Sequence, residues 1–301
     1  MPPAPALTAA PALEGYLDDL ERQTPALAEI ITAFRPLLAG QAELKTGLPT
    51  LDEPLPALDA ARLAQGVPLA TADDLLAGRG LGLATYLGNA AAVLLPRLGQ
   101  GFPNLAPDLA ALAEALRLEK LDAAACLEAL LKGDNTGLEA RAQDAGLQAA
   151  SLEFILLQLA KPLLEKRAES LATLLQGQEW TQGSCPVCGS LPEMAYLEGE
   201  AGQRWLRCSL CAQHWRFSRT RCPVCGNEDQ DMMEFFYVEG REDQRVNSCR
   251  QCGKYVLTLD VRGLDQKPAW PAAALGLVHL DLLAQEKGLT PAAWTPWNQV
   301  K

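Results

Sequence analysis

The apolar positions of the chain follow two different rhythms. Over the first 176 residues Leu and Ala recur at spacings of three and four, most clearly in segments 10–20, 24–38, 105–118 and 122–132. That period predicts amphipathic helices. Gly40, Pro49, Pro54, Pro56, Gly101, Pro103, Pro107, Gly133 and Gly137 punctuate the pattern as breaks. The longest candidate helix covers 147–176. Pro162 lies inside it and has no amide to offer Gln158, which predicts a kink or a break, and Gly177 is the expected stop. Near Trp180 the rhythm changes. From there to about Val261, short aromatic or β-branched runs alternate with turn residues, the pattern of strands. After Pro268 a single amphipathic helix is expected over 271–287, closed by Gly288. Trp294 and Trp297 in the tail are expected to pack back on the body.

The strand-like region contains an internal repeat. Cys185-Pro-Val-Cys-Gly189 recurs as Cys222-Pro-Val-Cys-Gly226. Each copy continues with an apolar run, a turn, a second apolar run and another Cys pair. The runs are 194–197 and 204–207 before Cys208 and Cys211, and 233–238 and 244–247 before Cys249 and Cys252. Knuckle, strand, turn, strand, knuckle is the layout of a zinc ribbon or a rubredoxin-like lobe. The expected fold class is α+β, with a mainly α-helical domain over 1–178 and a first metal lobe over 179–215. A second lobe over 216–267 and a C-terminal helix and tail over 268–301 complete it.

Composition sharpens this division. Residues 1–178 carry 13 Lys/Arg against 22 Asp/Glu, and residues 179–301 carry 13 against 15. A net charge of −11 argues against a general nucleic-acid binder or an anionic membrane surface. The first basic residue is Arg22, so a secretory leader is not expected. The longest uncharged run, between Arg79 and Arg97, is interrupted by glycines and is too short for a confident span. A soluble, cytoplasmic protein is the expectation.

Eight of the nine cysteines sit in Cys-x-x-Cys pairs within 68 residues, which reads as metal binding before disulfides. Such a knuckle sets two sulfurs on one side of a tight turn. Gly189, Gly226 and Gly253 follow three of the pairs and permit a positive φ, while Ala212 follows the fourth. Two knuckles supply four thiolates, which suits zinc or mononuclear iron. Three pairings of the four knuckles are open: sequential, cross-braced and nested. The repeat favours the sequential one, Cys185, Cys188, Cys208 and Cys211 in one site and Cys222, Cys225, Cys249 and Cys252 in the other. Four sulfurs fill the coordination sphere, so hydrolytic chemistry at either site is not expected. Spacing does not choose between iron and zinc.

Other residues change the picture less. Between Ala201 and Asn227 there are five arginines (Arg204, Arg207, Arg216, Arg219 and Arg221) and no acidic side chain. Nucleic-acid binding by a zinc ribbon is the alternative function that this suggests. Compensation of thiolate charge, together with a partner surface, is the preferred reading. His214 is expected beside a site rather than in it, with Trp205 and Trp215 shielding the metal. His279 is read as a helix packing or polar-face residue, and Cys126 as a small buried hydrophobe. Residues 1–178 hold no catalytic constellation, and no enzyme activity is expected.

Cys185-Pro-Val-Cys-Gly-Ser, Leu206-Arg-Cys-Ser-Leu-Cys211, Trp215, Arg219, Cys222-Pro-Val-Cys-Gly and Cys249-Arg-Gln-Cys-Gly-Lys-Tyr255 together resemble FdhE, the formate dehydrogenase accessory protein family. The specific likeness covers about 184–256. A looser one, including Leu280-Asp-Leu-Leu and Glu286-Lys-Gly288, extends to about 288. The resemblance implies a cytoplasmic, non-catalytic maturation factor. Its partner would be the catalytic subunit of a respiratory formate dehydrogenase, bound before export. It also implies rubredoxin-type iron in the two sites, with zinc the alternative. A homo-oligomer is left open, and no membrane span or nucleic-acid partner is implied.

Overall fold

In the computed structural model the described residues are 13–48, 61–76, 82–264 and 266–299. The helices of the first part are α1 (Leu13–Gln23), α2 (Ala28–Gly47), α3 (Ala61–Ala64), α4 (Ala72–Leu76), α5 (Leu83–Gly101) and α6 (Ala106–Arg117). They continue as α7 (Ala123–Leu131), α8 (Asn135–Asp144) and α9 (Ala149–Leu171). Strands β1 (Pro192–Glu198), β2 (Gln203–Cys208), β3 (His214–Arg216), β4 (Met233–Phe236), β5 (Gln244–Cys249) and β6 (Lys254–Asp260) follow. The chain ends in α10 (Trp270–Ala273), α11 (Val278–Glu286), β7 (Thr290–Pro291) and α12 (Pro296–Gln299). The breaks expected at Pro49, Pro54 and Pro56, and the first three residues of segment 10–20, lie outside the described residues.

The chain divides into two compact units. One comprises Thr32–Ala57 and Ala70–Ser170, the other Met1–Ile31, Leu58–Leu69 and Leu171–Lys301. The first is helical. Phe34, Phe102 and Phe154 form an edge-to-face chain in its core, with centroids 4.8 and 5.6 Å apart. Gly101 lets α5 end against α2, where a Cβ would lie 1.8 Å from the Ala33 carbonyl oxygen. Asp122 and Asp134 cap α7 and α8 by accepting from the amides of Ala125 and Gly137 at 3.0 and 2.9 Å.

The break expected at Pro162 does not occur, and α9 runs through it. The carbonyl that the proline leaves without an amide, Gln158 O, accepts from Gln41 Nε2 at 3.1 Å. The next carbonyl, Leu159 O, accepts from Tyr86 Oη at 2.9 Å. Ile155, Leu156, Leu159, Leu163 and Leu164 are all buried, so packing on both sides of the proline holds the helix together. Gly177 has φ +73, as expected of a stop, after a 3-10 turn over Ala172–Leu175.

The second unit is organised by a seven-stranded sheet in the order β3-β2-β1-β6-β5-β4, with β7 paired to β6. Each half repeats one design. In the first, β2 pairs antiparallel with both β1 and β3, and in the second, β5 pairs antiparallel with both β4 and β6. The third strand of each half, β3 or β6, lies beyond the two apolar runs that the repeat predicted. The halves then join through a parallel pairing of β1 with β6, Met194 opposite Leu257 to Leu197 opposite Asp260. The lobes are therefore fused through one sheet. The first strand of one lobe meets the third strand of the other, a head-to-tail join that leaves β3 and β4 at the ends. β1 and β6 are almost wholly buried, whereas Glu234 and Phe235 of β4 are exposed.

The C-terminal helix is not continuous as expected. It is α10, a 3-10 turn over Ala274–Leu277, and α11, closed by Gly288 at φ +79. Gly276 sits in the turn, where a Cβ would lie 2.9 Å from Leu20 Cδ2 of α1. Trp297 is buried as expected, but Trp294 is 54% exposed and does not pack on the body. Among the described residues no single helix is long and apolar enough to cross a membrane.

Candidate metal centres

The eight paired cysteines come together as two groups, Cys185/Cys188/Cys208/Cys211 and Cys222/Cys225/Cys249/Cys252. In each group all four sulfurs lie within 4.8 Å of one another. This is the sequential pairing. Antiparallel strands produce it directly: β1 and β2 bring the knuckle before one strand beside the knuckle after its partner, and β4 and β5 do the same. Gly189, Gly226 and Gly253 have φ of +78, +74 and +67, and Ala212 adopts the same left-handed conformation at +57. The turns close alike. Gly189, Gly226 and Gly253 donate to the carbonyls of Cys185, Cys222 and Cys249 at 2.9, 3.0 and 2.9 Å.

The donor sets fit a tetrahedral ion. A metal–sulfur bond of about 2.3 Å implies sulfurs about 3.8 Å apart. The Cys222–Cys252 and Cys225–Cys249 separations are both 3.8 Å, and Cys185–Cys211 and Cys188–Cys208 are 3.6 and 3.5 Å. Amides already point at the sulfurs. Leu210 and Cys211 donate to Cys208 Sγ, and Val224 donates to Cys222 Sγ, each at 3.4 Å. Protons alone satisfy such a cluster unevenly. Burial drives the Cys185 and Cys211 thiols up, whereas the Cys185 and Cys208 side chains bonded to Cys188 hold it well below the ordinary thiol value. In the second group burial pushes Cys252 up to about 12. A cation removes that conflict, because it lets all four sulfurs carry charge.

Several supporting residues carry no sequence motif. Leu69 donates its amide to the Pro186 carbonyl at 2.9 Å, and Pro68 lies 3.2 Å from where a Gly189 Cβ would be, so this short segment covers the first knuckle. Gly183 lets the loop before the first knuckle approach the Cys222–Cys225 knuckle, where a Cβ would stand 1.9 Å from the Pro223 carbonyl oxygen. Glu193, at a register shift in β1, forms an ion pair with Arg207 in which both side chains are almost inaccessible. A buried carboxylate one residue before an apolar run gave no signal that its partner would be the arginine preceding Cys208.

His214 is not in either sulfur cluster. Its Nδ1 lies 3.0 Å from Tyr196 Oη, and its ring packs against Trp270. Trp215 is fully buried and donates to the Gln182 carbonyl at 3.3 Å, and Trp205 stacks on Tyr196. His279 is half-buried, and burial lowers its imidazole pKa. Cys126 is buried, and burial raises its thiol, as expected of a small hydrophobe. Arg204, buried, has its guanidinium pushed down to about 10 by that burial, with the nearby Cys222 opposing the shift.

The model of the FdhE central domain matches residues 184–219, which hold the first knuckle-strand-strand-knuckle unit. A curated relative from Aquifex aeolicus, named Protein FdhE homolog, is 30% identical over 165 residues, 54% of this chain and 57% of the relative. One of the same name from Haemophilus influenzae is 29% identical over 187 residues, 58% of this chain and 60% of the relative. The chain thus matches rather more than half the length of these two relatives. The crystal structure of the FdhE protein from Pseudomonas aeruginosa has the same fold at a TM-score of 0.59. It covers 96% of both chains at 23% identity. Motif, domain model, relatives and fold agree: the chain resembles FdhE proteins in its paired-cysteine region and shares the fold of the solved FdhE structure.

Proposed function

We propose that this chain is a non-catalytic accessory factor for a respiratory formate dehydrogenase, one that binds the enzyme's catalytic subunit in the cytoplasm before export. The observation that carries the reading is the convergence of all four FdhE-type Cys pairs into two tetrahedral donor sets within a chain of FdhE fold. In this reading Cys185, Cys188, Cys208 and Cys211 hold one metal ion, and Cys222, Cys225, Cys249 and Cys252 hold the other. Iron is favoured. A tetrathiolate iron would add one-electron redox chemistry that zinc lacks. The residues of this chain would serve mainly to hold the ion and shape the surface around it. The fused sheet supports such a role, since metal binding would lock both knuckle pairs and, through β1 and β6, brace both halves of one docking platform.

The test has two arms. Affinity capture of the tagged chain from its own host should retain the formate dehydrogenase catalytic subunit. A deletion strain with normal formate dehydrogenase activity would sink the accessory role. Metal analysis of anoxically prepared protein should give two ions per chain with thiolate-to-iron charge-transfer bands. Stoichiometric zinc without those bands would end the iron assignment and leave the partner reading to be judged by the first arm.

A further inference from the structure

Beside the first lobe lies a cleft of about 690 Å³, lined by strand ends and loops around residues 178–181, 201–204 and 216–221. Four arginines line it: Arg204, Arg216, Arg219 and Arg221. The single acid among the lining residues is the exposed Glu179. Compensation of the second metal site explains part of this charge. Arg204 senses Cys222, and Arg221 precedes it in sequence and pairs with Glu228 at 3.0 Å. Arg216 and Arg219 are exposed and have no carboxylate partner among the described residues.

Three of the arms also reach neutral acceptors. Arg204 Nη1 donates to the carbonyls of Ser218 and Arg221 at 3.4 and 3.3 Å, Arg219 to that of Ala201 at 3.4 Å, and Arg221 to that of Thr181 at 3.5 Å. Arg204 and Arg221 also rest on the ring of Phe217, 5.6 and 5.9 Å from its centroid. Arg204 is 5% exposed, and its Nε is a buried donor with no partner. Carbonyls and an aromatic face orient guanidinium groups without cancelling their charge. Several cations fixed together in this way repel one another until an anion joins them. The neighbouring Arg219 adds to the burial that disfavours the charged form of Arg204.

We infer that this arginine cleft is a docking site for an acidic, extended peptide segment, its Asp and Glu carboxylates taken by Arg216, Arg219 and the inner Arg204. A single small oxyanion would leave most of the cleft empty, since ligand sites of about 300–1,000 Å³ take drug-sized groups. No helix begins among the lining residues, so the amide cradle that favours nucleotide phosphates is missing. The cleft instead runs beside β3, an end strand of the sheet, with Gln178, Thr181 and Ser218 as neutral polar partners for a peptide backbone. The biological sense of the site rests on the partner-binding reading, in which the segment would belong to the client protein.

Calorimetric titration of the full, metal-loaded chain with a blocked five-residue Asp/Glu peptide at low salt tests this. One saturable site is expected, weakening as salt rises. The Arg216→Ala/Arg219→Ala double variant changes only exposed side chains, so it should fold normally and bind at least about tenfold more weakly. Arg250→Ala, in the last knuckle, should bind as the parent does. The proposal is overturned by absence of saturable binding, by equal loss in Arg250→Ala, or by ATP or single-stranded RNA that binds more tightly and displaces the peptide. The two readings separate cleanly. A chain that binds the peptide but captures no catalytic subunit keeps the cleft and loses the accessory role. A chain that captures the subunit but ignores the peptide does the reverse.

Discussion

The two metal lobes repeat one motif in different surroundings. In the first, Cys185, Cys208 and Cys211 are buried, the Pro68–Leu69 segment covers a knuckle, and the lobe's first strand, β1, is an inner strand of the sheet. In the second, Cys225 is exposed and Cys252 partly so, and the equivalent strand, β4, is the sheet's edge. The ion pairs follow the same division. Glu193 and Arg207 are shut away beside the first site, while Glu234 and Arg250 meet at 3.2 Å in the open, each 55% exposed. Equal thiolate sets therefore need not be equal sites, because solvent access and the surrounding charges tune what a metal does there. An ion held in the first set is therefore expected to exchange more slowly than one held in the second.

Removing one ligand from each site gives the largest expected contrast. Cys185→Ser should cost on the order of 4 kcal/mol of stability, and Cys225→Ser roughly half of that, measured by denaturant unfolding. In the parent chain a chelator should take the first metal equivalent from the second lobe. Release from the first lobe first, or an equal loss for both variants, would break the comparison. The ion pairs come next. Glu193→Gln leaves Arg207 charged and buried, at a cost of about 3 kcal/mol, whereas Glu234→Gln should cost less than about 0.5 kcal/mol.

A smaller effect is expected where the lobes join. Arg262 holds the Asp260 carboxyl below its ordinary value of 3.8. A depressed carboxylate contributes stability above the unfolded value and loses it as pH falls through the folded one. Arg262 is 40% exposed, so Asp260→Asn should cost only about 0.5–1 kcal/mol at pH 7. The cost should fade as pH falls below 3.8, and a cost that stays constant well below that value would show that the ion pair is not its source. The smallest effect concerns Ala212, whose φ of +57 is strained for a residue with a Cβ. Ala212→Gly should stabilise the first lobe by about 0.5–1 kcal/mol, read as a raised Tm.

Much of the site was legible in the sequence because its information is local. A knuckle is set by four or five consecutive residues, so spacing gives the four pairs, and the repeat favours the pairing that the structure brings together. The helical rhythm before Trp180 was equally local, and Asp122 caps where the periodicity of segment 122–132 begins. Pro162 misled because the carbonyl it leaves unpaired, Gln158 O, is satisfied by Gln41, 117 residues upstream of Gln158. The C-terminal helix misled for a similar reason: the Gly276 turn lies against Leu20, far upstream.

The sequence by itself determined four Cys-x-x-Cys knuckles in a tandem repeat, a helical part before them and a closing helical segment, since each depends on spacing within a short stretch. Only the tertiary structure decided that the lobes share one sheet, because β1 and β6 are 55 residues apart and carry no mark of parallel pairing. The same fusion decided which lobe is covered. A strand inside a sheet is buried on both sides by its neighbours, and a strand at the edge is not, so two like motifs became a shielded site and an open one.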